Sequence, residues 1–310
     1  MKNLILQAHV RQKIDARVDR LLRDIDNPEP PLRVEEVLEL LRLDLAYYRS
    51  DDPGFVNETI HRLTMAGKQV LARPTLLLDA LRKFSVKALY SPDRKRILID
   101  ETVPKAKHRW LQGHEVIHDV LDWHEPVHYG DNELTVKQSC LDKVEAEANY
   151  GAGQLLFLRR RFTVEALDSP PSVELVRNLA KTFGNTHAST LWRLIEATGR
   201  TRPMVGVIHY HPHPRFASDK FDPANPCRHF IQSDAFSAQF SEVSQHNVYD
   251  LLRSYCGPRK GGMLGEATAI LTDDNGDEHE FSFETFGFYH ECLTLGVHLR
   301  KRAVVVGVVA

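Results

Sequence analysis

The stretch His114-Glu115-Val116-Ile117-His118, preceded by Arg109-Trp110-Leu111-Gln112-Gly113, decides how the rest of the chain is read. On a helix, positions four apart share a face, so both imidazoles can reach one ion while Glu115 flanks it. The pattern recurs by chance in about one sequence in twenty of this composition. A third ligand therefore has to be found. Further along stands Val144-Glu145-Ala146-Glu147-Ala148-Asn149-Tyr150, within a helix expected from Val136 to Phe157. A hydrolytic zinc site takes three protein ligands, often two His and one Glu, and leaves the fourth position to water. Glu145 and Glu147 point about 200° apart on a helix, so one of them alone can face the ion. Glu145 is the favoured ligand and Glu147 the reserve. Asn149, one turn after Glu145, is placed to hold a ligand histidine by a hydrogen bond.

Working outward, apolar residues recur at helical spacing from Leu4 to Ile25, including Ile14, Val18, Leu21 and Leu22. A second helix is expected from Val34 to Tyr48, with Leu38, Leu41 and Leu45 on one stripe. Two more are expected from Asn57 to Leu71 and from Thr75 to Phe84, punctuated by Pro53-Gly54 and Pro74. Val86 to Tyr90 and Arg96 to Ile99 then read as two short strands, followed by the motif helix from Pro104 to Trp123. Beyond Pro170-Pro171 a helix pair covers Val173 to Phe183 and Thr186 to Ala197, divided by Gly184-Asn185. The remainder reads as strands with one helix, Val243 to Tyr255, and a hairpin turn at Thr272 to Gly276.

Composition bounds the answer. The chain has 310 residues, 42% hydrophobic and 26% charged, which excludes wholesale disorder and leaves room for two or three domains. Forty Lys and Arg stand against 42 Asp and Glu, a balance that argues against a protein whose task is coating nucleic acid. The four cysteines, Cys140, Cys227, Cys256 and Cys292, are scattered without a C-x-x-C pair, which fits a reducing cytosol rather than a disulfide scaffold. No apolar run approaches the length of a membrane span, and the short patch at Leu4 to Leu6 is cut off by charges before it could serve as a signal. A cytoplasmic protein is expected.

The motif helix, followed by Glu145-Ala146-Glu147-Ala148-Asn149, Ala152 and Leu155-Leu156, resembles the ImmA/IrrE family of metallopeptidases, which pairs a His-Glu-x-x-His helix with a downstream Glu-x-Glu-Ala-Asn helix. The preceding strands and helical collar match the family's layout, and the helix pair at Val173 to Ala197 looks like the helix-turn-helix-like segment of its IrrE-like members. The resemblance implies an α+β chain with three parts. Residues 1–160 would form a zincin-like peptidase core with a helical N-terminal collar, 161–202 a helix-turn-helix-like middle, and 203–310 an α+β, GAF-like sensor domain. Three residues depart from the family's usual pattern: Ile117 stands where Gly is usual, Gly151 where Phe is, and Leu158 where Pro is. All three bear on packing between the two ligand helices rather than on the ligands.

The resemblance implies a chemistry. Zn²⁺ held by His114, His118 and Glu145 would lower the pKa of a bound water to about 7, with Mn²⁺ or Fe²⁺ as replacements in cells. Glu115 would take that water's proton and pass it to the leaving amine. The edge of the Val86 to Ile99 hairpin would hold an extended substrate by strand addition. His124, His128 and Tyr129, in the next loop, read as plain loop residues rather than transition-state donors, and Cys140 as a small buried hydrophobe. The implied substrate is a specific protein, a DNA-binding repressor cut in response to stress or a mobile element.

The rival expectation is a transcriptional regulator with a structural or vestigial metal site, acting through its helix pair. The second helix of that pair offers His187, Arg193 and Glu196, with one fixed positive charge among them, which weighs against direct DNA binding. In the tail, His209, His211 and His213 alternate but are interrupted by Pro212 and Pro214, so an exposed edge or loop is expected there rather than a second metal site.

Overall fold

The computed structural model describes residues 3–49, 88–91, 95–124, 138–216, 218–288 and 291–302, with the side chains of 89–91 and 138–141 excepted. The helices expected at Asn57 to Leu71 and Thr75 to Phe84 lie outside these residues, as do His128 and Tyr129. The fold is mixed α+β, and the chain divides into two compact units, Leu6–Arg159 and Arg160–Ala310 together with Met1–Ile5.

In the first unit, α1 (Ala8–Asp24) buries Ile14, Val18, Leu21 and Leu22, the stripe expected from their spacing, and packs on α4 (Gln138–Leu156). Asp26 and Asn27 follow it in the left-handed region, which short polar side chains tolerate. The second helix stops earlier than expected. α2 spans Val34–Leu41, and Arg42 at φ 54° turns the chain into β1 (Asp44–Tyr48). The Leu45 position fits a helical stripe, but parallel pairing with β3 (Arg96–Asp100) overrides that local preference, and the Asp44 carboxylate takes a hydrogen bond from Arg96 Nε at 2.7 Å. β2 (Ala88–Ser91) joins β3 antiparallel, giving a three-stranded sheet in the order β1-β3-β2. The motif helix α3 (Lys105–Val120) packs beside this sheet and against α4, and a single 3₁₀ turn, Asp122–His124, follows it.

The second unit opens with α5 (Arg160–Leu167), for which the sequence offered no separate expectation, and the helix pair α6 (Val173–Phe183) and α7 (His187–Thr198). Ser172 and Thr186 cap the pair by accepting the Leu175 and Ser189 amides, and Gly184 at φ 63° makes the turn between them. A five-stranded antiparallel sheet follows, from β4 (Met204–His209), β5 (Cys227–Gln232), β6 (Gly262–Thr272), β7 (Glu278–Phe288) and β8 (Glu291–Lys301), in the order β5-β4-β8-β7-β6. One face carries the core of Val205, Val207, Phe230, Phe281 and Phe283, closed by Phe236 and Phe240 of the segment holding α8 (Asp234–Gln239) and by Val248 and Leu252 of α9 (Gln245–Tyr255). Among the described residues the tail thus has two α-helices rather than one. On the other face α7 sits directly on β4, where a Cβ on Gly206 would stand 2.3 Å from Ile195 Cδ1.

Candidate metal centre

α3 and α4 are held together by two reciprocal close approaches. A Cβ at Gly113 would meet Leu156 side-chain carbons at 3.0 Å, and one at Gly151 would meet Ile117 Cγ2 at 2.6 Å. Helices that approach this closely bring their facing side chains onto a shared point. There, His114 Nε2 and His118 Nε2 stand 3.1 Å apart, and the Glu145 carboxylate lies 3.2 Å from the first and 3.7 Å from the second. Both imidazoles are largely buried and the Glu145 side chain is 59% exposed, so the group faces outward through its carboxylate.

These separations fit a metal. Two ligands at the usual zinc distance on a tetrahedral ion lie roughly 3.3 Å apart, and the three distances bracket that value. The donor set says the same: Asn149 Oδ1 lies 3.1 Å from His114 Nδ1, so it accepts that N–H and leaves the His114 Nε2 lone pair directed at the other two ligands. His114, His118 and Glu145 therefore form a possible metal-binding triad. Burial disfavours a charged His114, but Glu145, Glu115 and Asn149 outweigh it and raise the imidazole above its ordinary value.

Glu147 faces elsewhere. Its Oε2 accepts from Trp123 Nε1 at 2.7 Å and from His124 Nε2 at 3.1 Å. Its carboxyl is held below the ordinary value, since these hydrogen bonds and the charges around it overcome its burial. His124, read from sequence as a loop residue, is fully buried and places Nδ1 3.0 Å from His118 Nδ1. No local pattern signalled this: the contact depends on the 3₁₀ turn after α3 and on a carboxylate from α4. Glu115 is buried beside the triad, and its charge is felt by His114 and by Tyr48 at the end of β1. Burial first, then the Asp100 and Glu115 charges, push the Tyr48 phenol up to about 12.

The residues singled out in the second unit go to structural places. Arg193 is buried, its guanidinium 5.7 Å over the Phe162 ring, and His187 stacks on Phe288 at 4.1 Å. The alternating histidines are not one exposed row. His209 is fully buried in β4, donating from Nδ1 to the Tyr210 carbonyl and bonding Thr294 Oγ1 through Nε2, because β4 is a central strand. His211 and His213 lie beyond its end. Among the described residues, no helix is long and apolar enough to cross a membrane.

The chain matches no protein-family model and no curated protein. Its structure is similar to that of a Mycobacterium tuberculosis transcriptional regulator, with 14% identity and a TM-score of 0.51 over 96% of this chain and 93% of that one. At that identity the likeness shows a shared fold alone, and the resemblance to the ImmA/IrrE family rests on the motif residues.

Proposed function

We propose that the chain is a zinc-dependent endopeptidase with a zincin-like core, which cleaves a specific protein, by its family resemblance a DNA-binding repressor. The observation that carries this reading is the convergence of His114, His118 and Glu145 beside a buried Glu115. Zn²⁺ held there would supply Lewis acidity and bring a bound water's pKa to about 7. Glu115, on the same helix as both histidines, is the group to take a proton from the attacking water and return it to the leaving amine. Asn149 fixes the tautomer of His114. The exposed Glu145 side of the triad leaves an approach for an extended peptide. A purely structural metal site has no use for a base beside its water, so Glu115→Gln is the deciding variant. It is expected to retain zinc and to lose cleavage, and undiminished cleavage would refute the catalytic role.

One observation favours a second reading, in which the chain regulates transcription and its metal site is structural. A solved structure that it is similar to over nearly its whole length is named a transcriptional regulator. In that reading the GAF-like tail would sense a small ligand and α6–α7 would contact a partner. A gel shift at moderate salt separates the two, because tight sequence-selective binding by the isolated protein belongs to the regulator alone.

A further inference from the structure

We infer that His124 and Glu147 are positioning residues for the metal centre, fixing His118 through an imidazole–carboxylate relay. This rests on the metal-site reading above. The relay runs in one direction for chemical reasons. To offer Nε2 to an ion, His118 must carry its proton on Nδ1, and that proton needs an acceptor. His124 Nδ1 lies 3.0 Å away and can accept only if His124 carries its own proton on Nε2. That second N–H points at Glu147 Oε2, 3.1 Å away, and a carboxylate can only accept. One carboxylate thus sets the tautomer of two imidazoles in series.

Burial makes the arrangement strict. His118, at 3% side-chain exposure, and His124, at 0%, are shielded from bulk water, and Glu147 is itself only 15% exposed, so loss of a partner in the relay is costly. Trp123 Nε1 holds the same Glu147 oxygen at 2.7 Å, so the carboxylate is anchored independently of the histidine it orients. The two ligand histidines are therefore held by different devices: His114 directly by an amide, and His118 at second remove by a carboxylate.

The test is the zinc dissociation constant of the full chain, measured by competition with a chelator, alongside thermal unfolding of the metal-free protein. His124→Phe keeps a ring and removes both hydrogen bonds; it is expected to weaken zinc binding about 10–100-fold. His124→Asn keeps an acceptor near the Nδ1 position and is expected to recover part of that loss. Glu147→Gln, which keeps a neutral acceptor, is expected to fall between His124→Phe and the unaltered protein. If His124→Phe does not fold, the other two variants carry the comparison. Unaltered protein that binds zinc, with variants that bind it equally tightly, would overturn the relay and leave the metal centre standing. Equal losses in His124→Phe and His124→Asn would make His124 a packing residue and also overturn it. Absence of zinc binding by the unaltered chain would remove the metal centre itself, and the relay with it.

Discussion

Ile117 fills the space that a side chain at Gly151 would need: its Cγ2 atom lies 2.6 Å from the position of a Cβ there. Ile117 precedes the ligand His118 on α3, and Gly151 follows Asn149 on α4. Bulk on one helix is matched by its absence on the other. This pairing of a large and a small residue across a single contact keeps α3 and α4 close.

That contact makes a prediction with a change of sign. Gly151→Ala gains about 1 kcal/mol of helix propensity but overpacks against a stiff, fully buried Ile117, at a cost of about 1–3 kcal/mol. A net loss is expected. Ile117→Ala alone is expected to cost about 2–5 kcal/mol through the cavity it leaves. In the Ile117→Ala background the same Gly151→Ala change should become stabilising. Denaturant unfolding of the four proteins in the cycle measures this, and additive effects would show that the pair is not in contact.

The end of α4 makes a second one. Leu158 and Arg159 follow it at φ 52° and 44°, in the left-handed region, and Arg159 is tied to Asp15 and Asp19 of α1. Proline cannot adopt such a φ. Leu158→Pro is expected to destabilise the chain by about 3 kcal/mol or more, read as a lowered unfolding midpoint. A neutral substitution would mean that the left-handed backbone at position 158 is not required.

Much of this was legible before any coordinates. The stripe of α1, the motif helix, the Gly184 turn of α6–α7 and the divergence of Glu145 from Glu147 along α4 follow from spacing, because each is decided within a few turns of helix. β1 was not legible, since Leu45 continues a helical spacing and only pairing with β3, some fifty residues on, selects the strand. His124 was missed for a related reason: its role needs a buried carboxylate from α4, and no short-range pattern encodes that. His209 was misplaced because alternation with His211 and His213 says which face a residue takes, but not that β4 would lie inside a sheet.

Acid should act on the second unit through His209. Burial pushes this imidazole from 6.5 down to about 4, outweighing the Tyr210 carbonyl that favours its protonated form. Between those values the unfolded chain binds a proton that the folded one refuses, so stability falls as pH drops from about 6.5 to about 4 and this contribution then levels off. The full effect is about 3 kcal/mol. Asp273 acts in a lower window: its carboxyl is depressed by the Asp277 amide, Gln239, the Asn275 amide and His279 against its desolvation, so its contribution is lost only below the ordinary carboxylate value. Unfolding free energies from pH 7 to 4 should show the first slope, and His209→Gln should flatten it. An unchanged slope would locate the acid sensitivity elsewhere.

For nucleic acid the expectation is negative. The one fixed cation expected on the second helix of the pair, Arg193, is turned inward over Phe162, and His187 is engaged with Phe288. Few phosphates can be neutralised from that surface. A gel shift at about 150 mM salt is expected to show no sequence-selective complex. A tight one would favour the regulator reading.

The most direct test of the metal centre is the metal content of the protein after supply with zinc and dialysis. One zinc per chain is expected in the unaltered protein and in Glu115→Gln, and none in His118→Ala or Glu145→Ala. A metal-free unaltered protein, or a Glu145→Ala variant that still holds its zinc, would contradict the account.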